Sequence, residues 1–345
     1  MTSFIKYILK RLLQMIPVLF GALTLVFILT KFFPYNPAIA YLPQSFSEED
    51  LRNMERYLGL DQPIIIQYFI FLGNLFTGNW GRSLQISQGA EVWPLVMQKF
   101  PRTMEITILA MIIASFIGIK AGVISAKHRN KPQDTIVRGI ALLGVSIPVF
   151  WLGMLMQYFL SYRLKQIGSP FFFPTMGFAT AWYPVLEPIT GFRLIDTLIT
   201  GNLYYFIDYV QHLFLPVMAL AFITIASVTR QTRSSMLEVL EQDYIRTARA
   251  KGCKEKDVIH THALKNALIP TVTIIGLNIG ALLGGAVLTE TTFNLDGMGQ
   301  LIVTAINRYD YYVLNACVFL IAIIFVVVNL IMDLLYAYLD PRIRY

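Results

Sequence analysis

Six long apolar segments limit the folds open to this sequence. An α-helix rises 1.5 Å per residue, so about 20 apolar residues cross a hydrocarbon core of about 30 Å. Only 14% of the 345 residues are charged, against roughly 25% in soluble domains. We therefore predict an all-α, polytopic membrane protein with about six transmembrane helices. The predicted spans are Leu12–Phe33, Thr103–Ala126, Val137–Tyr162, His212–Val228, Leu268–Leu288 and Val313–Tyr336.

Two further apolar runs make weaker candidates for spans. Pro63–Phe76 is too short to cross, and Leu194–Val210 contains Asp196 and Asp208. We expect both runs to lie at the membrane interface or against the helix bundle. If Leu194–Val210 did cross, the sidedness of every later segment would be inverted.

The spans divide the chain into three predicted regions. Residues 1–33 form an N-terminal tail and the first span, and residues 34–102 are long enough for a small external lobe. Residues 103–345 form a five-helix core with an external loop, 163–211, and a cytoplasmic loop, 229–267. Within the lobe, Ser47 followed by three acidic residues is typical of a capped helix N-terminus.

The basic residues indicate the orientation of the chain. Under the six-span topology, one set of loops carries 16 Lys and Arg, and the opposite loops carry 9 spread over about twice the length. The positive-inside rule therefore predicts that both termini are cytoplasmic, in a cell membrane. The first apolar run is longer than a signal-peptide core and ends at Lys31-Phe32-Phe33-Pro34, which favours a retained span over a cleaved signal.

The sequence lacks the motifs of a self-contained motor or enzyme. It has no phosphate-binding G-x-x-x-x-G-K-[ST], no H-E-x-x-H and no G-x-S-x-G. Cys253, His260 and His262 match no common zinc spacing. The net charge of +7 follows the membrane topology and does not indicate nucleic acid. Acidic residues are nearly absent from the middle of the spans, unlike in ion-coupled carriers. We therefore expect no cofactor or metal in this chain, and energy from another subunit.

The cytoplasmic loop 229–267 offers a place to receive that energy. Ser234–Lys251 contains no Pro or Gly and predicts a helix. Tyr244 and Ala248 are four residues apart and share a face beside Ile245, and small Ala side chains would let this helix enter a groove on a partner. Gly252 permits a sharp turn after it. The residues alone leave open whether the helix docks on a protein or lies on anionic lipid.

The segment Tyr244–Gly252 resembles the coupling loop of permease subunits of binding-protein-dependent ABC importers. Its residues are most similar to those of the dipeptide, oligopeptide and nickel class. The likeness continues through the chain, in order, although Arg246-Thr247-Ala248 stands where the general pattern has Glu-Ala-Ala. The other matching segments are Tyr7–Arg11, Ser146–Gly153, His262–Pro270, Glu290–Gly299 and Leu339–Tyr345.

The resemblance implies the type I permease fold and a set of partners. These are a second, similar permease, two cytoplasmic ATPase subunits that bind ATP and Mg²⁺, an external solute-binding protein and the lipid bilayer. Two rivals are a stand-alone channel or secondary carrier and a membrane-embedded enzyme. Peptides are the expected cargo, with oligosaccharides or metal chelates as alternatives. The residues expected to couple to the ATPases are Tyr244, Ile245, Arg246, Thr247, Ala248, Arg249, Ala250, Lys251 and Gly252.

Two further groups of residues are candidates for the pathway. Small residues at every fourth position of the fifth span, with an asparagine between them, allow close helix approach. They pack either within this subunit or against the partner permease, and the asparagine either lines the pathway or bonds between helices. By resemblance, four residues after the span form an external gate or a contact for the binding protein, with a satisfied turn as the alternative. The two groups are Gly276, Asn278, Gly280 and Gly284, and Glu290, Phe293, Asp296 and Gly297.

Overall fold

The computed structural model describes residues 2–33, 35–180 and 188–339, and their regular structure is helical apart from an isolated bridge between Arg82 and Glu91. The last matching segment, beyond Leu339, lies outside these residues. The helices are α1 (Thr2–Thr30), α2 (Glu48–Leu58), α3 (Ile64–Thr77), α4 (Val92–Lys127), α5 (Pro132–Ser146), α6 (Val149–Met156), α7 (Leu164–Gln166), α8 (Arg193–Ile199), α9 (Leu203–Leu240), α10 (Asp243–Ala250), α11 (Glu255–Asp257), α12 (Leu264–Thr292), α13 (Met298–Asn307) and α14 (Tyr311–Leu339), with a 3₁₀ turn at Pro37–Tyr41 and π-helical turns at Gln157–Arg163 and Val258–Ala263.

The helices confirm the predicted all-α membrane fold. Among the described residues, five helical segments are long and apolar enough to cross a membrane, and a bent pair brings the number to six if it counts as one span. The short apolar run after residue 63 forms α3, whose 14 residues are too few to cross. The five segments are Leu9–Thr30, Val92–Lys127, Leu203–Leu240, Glu255–Thr292 and Tyr311–Leu335.

The predicted third span, Val137–Tyr162, is not one straight helix, and it counts as a span only if its two bent segments are taken together. It consists of two helical segments, Pro132–Ser146 and Val149–Gln166, that meet at an angle of 108°. The cause is Pro148, which disfavours helical geometry at the residue before it. Ile147 is accordingly extended, with φ −90° and ψ 124°.

The predicted fourth span, His212–Val228, is shorter than the helix that contains it. His212–Val228 is the middle of α9, which has 38 residues and contains Pro216 without ending there. The second half of the weak run Leu194–Val210 is therefore the first part of α9 and not a separate interfacial element. Its first half forms the short helix α8, whose Asp196 accepts hydrogen bonds from the turn before it.

One compact unit comprises residues 1–103 and 296–327. The segment between the first two spans contributes α2 and α3 to it. The predicted helix start is confirmed: Ser47 and Asp50 form a capping box at the N-terminus of α2. The buried core of this unit is rich in aromatic side chains, among them Phe27, Phe71, Trp80 and Phe319.

A buried carboxylate organises the loop before α4. Asp310 is fully buried, and one of its oxygens accepts hydrogen bonds from the Ser83 hydroxyl at 2.6 Å and from three successive backbone N–H groups at 3.0–3.1 Å. Those groups belong to Leu84, Gln85 and Ile86. Because buried polar groups are costly when unpaired, this carboxylate fixes the loop to the start of α14.

The other compact unit comprises residues 104–295 and 328–345. Small residues let its helices approach closely: a Cβ added at Gly122 would lie 2.5 Å from Thr232, and one at Gly144 would lie 2.7 Å from Ala226. These contacts bring α4 and α5 against α9. This unit also contains α10 and α12 and therefore the predicted coupling residues.

Candidate coupling site

The predicted continuous helix Ser234–Lys251 is wrong, because the chain breaks between α9 and α10. The helix α9 ends at Leu240 with Glu241 as its C-cap, and Gln242 has extended backbone angles, φ −71° and ψ 150°. Asp243 then occupies the first turn of α10, where its charge favours the helix N-terminus. The break makes α10 a separate short element of eight residues.

The C-terminus of α10 has the turn that the sequence predicts. Gly252 has φ +79°, which glycine adopts without strain. Its N–H bonds to the Arg249 carbonyl at 2.9 Å, and the Cys253 N–H bonds to the Ala248 carbonyl at 3.2 Å. This pair of bonds is the Schellman arrangement, which stops a helix at a defined residue.

One face of α10 packs against its own chain. Ile245 is fully buried and Ala248 is 8% exposed, three residues apart on the same helical face. They lie in an apolar cluster that includes Val123, Met236 and Ala267 of three different helices. Ala248 is therefore largely covered by its own chain, and its place in a partner's groove stays a prediction.

The opposite face of α10 is open. Among the described residues, Arg246 forms its one ion pair with Asp243 of its own helix, at 3.2 Å, and both side chains are largely exposed. Such a pair contributes little stability and leaves the guanidinium available to a partner. The exposed coupling residues are Tyr244, Arg246, Thr247, Arg249, Ala250, Lys251 and Gly252.

Two polar contacts fasten α10 to the segments that follow it. Arg249 makes two hydrogen bonds to Glu255, at 2.9 and 3.2 Å, and this bidentate geometry orients both side chains. Glu255 lowers the tendency of Arg249 to lose its proton, so the pKa of Arg249 lies above its ordinary value. Asn266 donates to the Tyr244 hydroxyl at 2.8 Å, which connects α10 to α12.

An ion pair between Asp134 and Arg233 connects three helices of the core, α4, α5 and α9. Asp134 of α5 is fully buried and receives two hydrogen bonds from Arg233 of α9, at 2.7 and 2.9 Å. The Ser125 hydroxyl of α4 and the Asn130 N–H also donate to it, at 2.6 and 3.0 Å. Because the buried carboxylate accepts four hydrogen bonds, it holds these helices in a defined arrangement. Arg129 and Glu241 add a surface ion pair between the adjacent turns.

The glycines at every fourth position of the fifth span, which lie in α12, do not share one environment. Gly276 packs within this subunit, since an added Cβ would lie 2.6 Å from Met332. Gly280 is half-buried, and Gly284 is exposed with open space around it. Asn278 donates to the Ser227 hydroxyl at 2.7 Å, so it bonds between α12 and α9. A role in the pathway stays a prediction for these residues.

The residues after α12 fall in both units. Glu290 and Phe293 are buried, and the Phe293 ring is so close to Gly153 that an added Cβ there would lie 2.9 Å from it. Asp296 pairs with Lys99 and, at 2.6 Å, with Arg102. Gly297 has an extended backbone and precedes α13. These contacts are those of a well-packed turn, and a role in gating or docking stays a prediction.

Several organising residues were not predicted from the sequence. Asp134 and Arg233 are 99 residues apart, and no local motif marks them as a pair. Glu255 and Asn266, which hold α10, were also missed. The one sequence signal for these contacts was the position of Glu255 and Asn266 shortly after α10, which contains two arginines.

Within the described residues, no group of three or more His, Cys, Asp and Glu could hold a metal ion.

Comparisons with known proteins agree with this architecture. The family described as "Binding-protein-dependent transport system inner membrane component" matches residues 117–345, and "Binding-prot-dependent transport system membrane comp, N-term" matches residues 4–107. The dipeptide transport system permease protein DppB of Alkalihalophilus pseudofirmus is 42% identical over 343 residues, covering 99% of this chain and 100% of that protein. Its counterpart in Escherichia coli is 40% identical, covering 99% of each chain.

Two further similarities extend this picture. The oligopeptide transport system permease protein AppB of Bacillus subtilis is 38% identical, covering 98% of this chain and 99% of that one. Among solved structures, the inward-facing MetNI methionine ABC transporter matches with a TM-score of 0.54 and 17% identity, covering 71% of this chain and 96% of that chain. At that identity the structural match shows the type I permease fold alone.

Together the family and the helices describe a multi-pass protein of the cell membrane. Its family supplies the membrane subunits of ABC transporters that also contain ATPase and binding-protein components, so the chain itself is a non-catalytic subunit. The matched segments cover nearly the whole sequence, from residue 4 to residue 345. The chain belongs to the family of inner membrane components of binding-protein-dependent transport systems.

Proposed function

We propose that this chain forms half of the translocation pathway of an ATP-driven peptide importer. A second, similar permease forms the other half. The observation that supports a peptide cargo is the group of relatives named for dipeptide and oligopeptide transport, at 38–42% identity over almost their full lengths. Oligosaccharides and metal chelates are the alternative cargoes within the same machinery.

We further propose that two cytoplasmic ATPase subunits drive the transporter, and that one of them receives α10 of this chain. The ATPases bind ATP and Mg²⁺. Arg246 on the open face of α10 and Lys251 directly after the helix supply cations for carboxylates on the ATPase, and the small side chain of Ala250 allows close approach. The eight-residue helix therefore has an exposed face for the partner and a buried face that packs on its own chain.

The attachment of α10 supports its role in transmitting motion. An element that transmits motion must move together with the helices behind it. Ile245 and Ala248 are packed against apolar residues of α4, α9 and α12, and Tyr244 is bonded to Asn266. A displacement of α10 is thereby carried into three spans at once. Binding of ATP would then shift the population from an inward-facing to an outward-facing packing.

The orientation follows from the same proposal. Both termini and α10 face the cytoplasm, in agreement with the excess of basic residues in those loops. The segment between the first two spans and the turn at Glu290–Gly297 then face outward, where a solute-binding protein delivers cargo. Asp296 stays partly exposed although it is paired with two cations, which leaves it accessible to that protein.

Transport by the reconstituted complex tests the proposal. We would place this chain, its second permease and its ATPases in proteoliposomes, add the binding protein, and measure uptake of a radiolabelled dipeptide with ATP. We expect uptake that requires ATP and the binding protein. Ala250→Glu should abolish it, because a carboxylate replaces the methyl group on the docking face.

The matched control is Glu49→Ala, at an exposed position of α2, which should transport normally. Uptake by this chain alone, without ATPases, would refute the proposal in favour of a secondary carrier. Uptake of an oligosaccharide or a nickel chelate in place of peptide would replace the cargo and leave the machinery unchanged.

A further inference from the structure

A cavity of about 590 Å³ lies in the groove between α5 and α9, at the end of α4. Its lining contains three arginines, Arg138, Arg230 and Arg233, and no carboxylate. Arg233 is neutralised by Asp134 beside the cavity. Within residues 2–33, 35–180 and 188–339, neither Arg138 nor Arg230 has an ion pair, so two positive charges face this space uncompensated.

The two unpaired arginines lie at the same depth in the groove. The helices α5 and α9 run antiparallel here, since Asp134 contacts Arg233 and Gly144 contacts Ala226. Arg138 is one helical turn beyond Asp134, and Arg230 is about one turn from Arg233 in the same direction. The backbone positions of both arginines therefore lie at about one level, one turn away from the ion pair.

The wall beyond the arginines is apolar and open. Leu142 and Val145, the next turns of α5, are 70% and 52% exposed, and Ala141 and Ala226 complete that side of the cavity. Thr229, which also lines the cavity, is buried, and its hydroxyl has no hydrogen-bond partner among the described residues. A ligand that fits this arrangement has an anionic head and an apolar body.

We infer that this cavity binds an anionic phospholipid. The phosphodiester contacts Arg138 and Arg230, and an acyl chain lies along Leu142 and Val145. Basic pockets between transmembrane helices are a known way to hold anionic headgroups, and guanidinium groups bind phosphate bidentately. Placing the lipid in the cytoplasmic leaflet rests on the orientation proposed above, whereas binding itself does not.

The test uses the purified complete transporter in nanodiscs of phosphatidylcholine with small amounts of phosphatidylglycerol that carries a photoreactive acyl chain. We would measure saturable crosslinking to this chain and map the attached peptide. We expect crosslinks within residues 132–146. Each arginine near anionic lipid contributes about fivefold to affinity, so R138Q/R230Q should weaken it by about 25-fold.

Three controls make the outcome specific. R129Q removes the same charge from an exposed residue that pairs with Glu241 outside the cavity, and it should leave affinity unchanged. R138K/R230K should retain most of the affinity, because the charges remain. Leu142→Trp should also reduce crosslinking, because the larger side chain obstructs the apolar wall without changing charge.

Two results would overturn the inference. Equal affinity for phosphatidylglycerol in the parent transporter and in R138Q/R230Q would show that the arginines bind no lipid. Complete displacement of the lipid by a saturating dipeptide would show that the cavity belongs to the cargo pathway and takes the peptide carboxylate. Because nanodiscs expose both leaflets, neither result depends on which way the chain is oriented or on active transport.

Discussion

Arg249, in the last turn of α10, forms a bidentate ion pair with Glu255, at the start of the segment that leads into α12. Both side chains are about half exposed, so the pair contributes about 0.2–1 kcal/mol to stability. We expect Arg249→Glu to leave the melting temperature nearly unchanged but to lower the ATPase activity stimulated by the binding protein, because α10 loses one of its two polar attachments.

The charge-swapped double variant, Arg249→Glu with Glu255→Arg, separates positioning from a direct contact. If the pair holds α10 in place, the swap should restore stimulated ATPase activity. Activity that stays low in the swap would mean that Arg249 itself contacts the ATPase, and the interpretation of this pair as an internal attachment would then be wrong.

The ion pair between Asp134 and Arg233 should contribute far more to stability. Asp134 is fully buried, and its replacement by Ala leaves a guanidinium unpaired. Because the Arg233 side chain is 22% exposed, we expect a loss of about 3 kcal/mol, at the lower end for broken buried pairs. Thermal unfolding in detergent measures this loss.

The double variant Asp134→Leu with Arg233→Met is the informative control. Replacing both charges with apolar side chains removes the unpaired group, so it should recover most of the stability. If the double variant is as unstable as Asp134→Ala, then the packing of this region, and not the unpaired charge, determines the loss.

The sequence predicted the features that depend on local composition. Long apolar runs predict spanning helices because each helix satisfies its own backbone in lipid, and the Ser47 cap follows from neighbouring side chains. The turn at Gly252 was predictable for the same reason. These features need no knowledge of distant parts of the chain.

The features that the sequence missed depend on tertiary contacts. Ala248 and Ala250 are equally small, and only the packing of α10 against α4, α9 and α12 determines that Ala248 lies inward. The break before Asp243 has no Pro or Gly to mark it. Asp134, Arg233 and Arg230 come together only because α5 and α9 pack antiparallel, a relationship between segments almost 100 residues apart.

Asp296 should make the stability of its unit depend on pH. Burial raises the pKa of Asp296, but hydrogen bonds and charge interactions with Lys99 and Arg102 outweigh that effect and hold the pKa below its ordinary value of 3.8. A lowered native pKa means that the contribution to stability is fully present above pH 3.8 and is lost as pH falls through the native pKa. We expect Asp296→Asn to lower the melting temperature at pH 7.

The difference between Asp296→Asn and the parent protein should then shrink as pH falls below about 4, measured by thermal unfolding in detergent. Asp61→Asn is the control, at an exposed aspartate that has no ion pair among the described residues, and it should change little at either pH. A difference for Asp296→Asn that stays constant down to pH 3 would contradict the ionic basis of this contact.

The most direct test of the account is site-specific crosslinking between α10 and the ATPase subunits. In a background with the exposed Cys253 replaced by Ser, a cysteine at Ala250 should crosslink efficiently to an ATPase subunit in the assembled transporter. A cysteine at Ala248, which is 8% exposed, should react poorly, and one at Tyr57 of α2, which is 83% exposed, should react with soluble reagent but not with the ATPase. Crosslinking of the ATPase from Tyr57, or none from Ala250 in an intact and active complex, would contradict the assignment of α10 as the coupling helix.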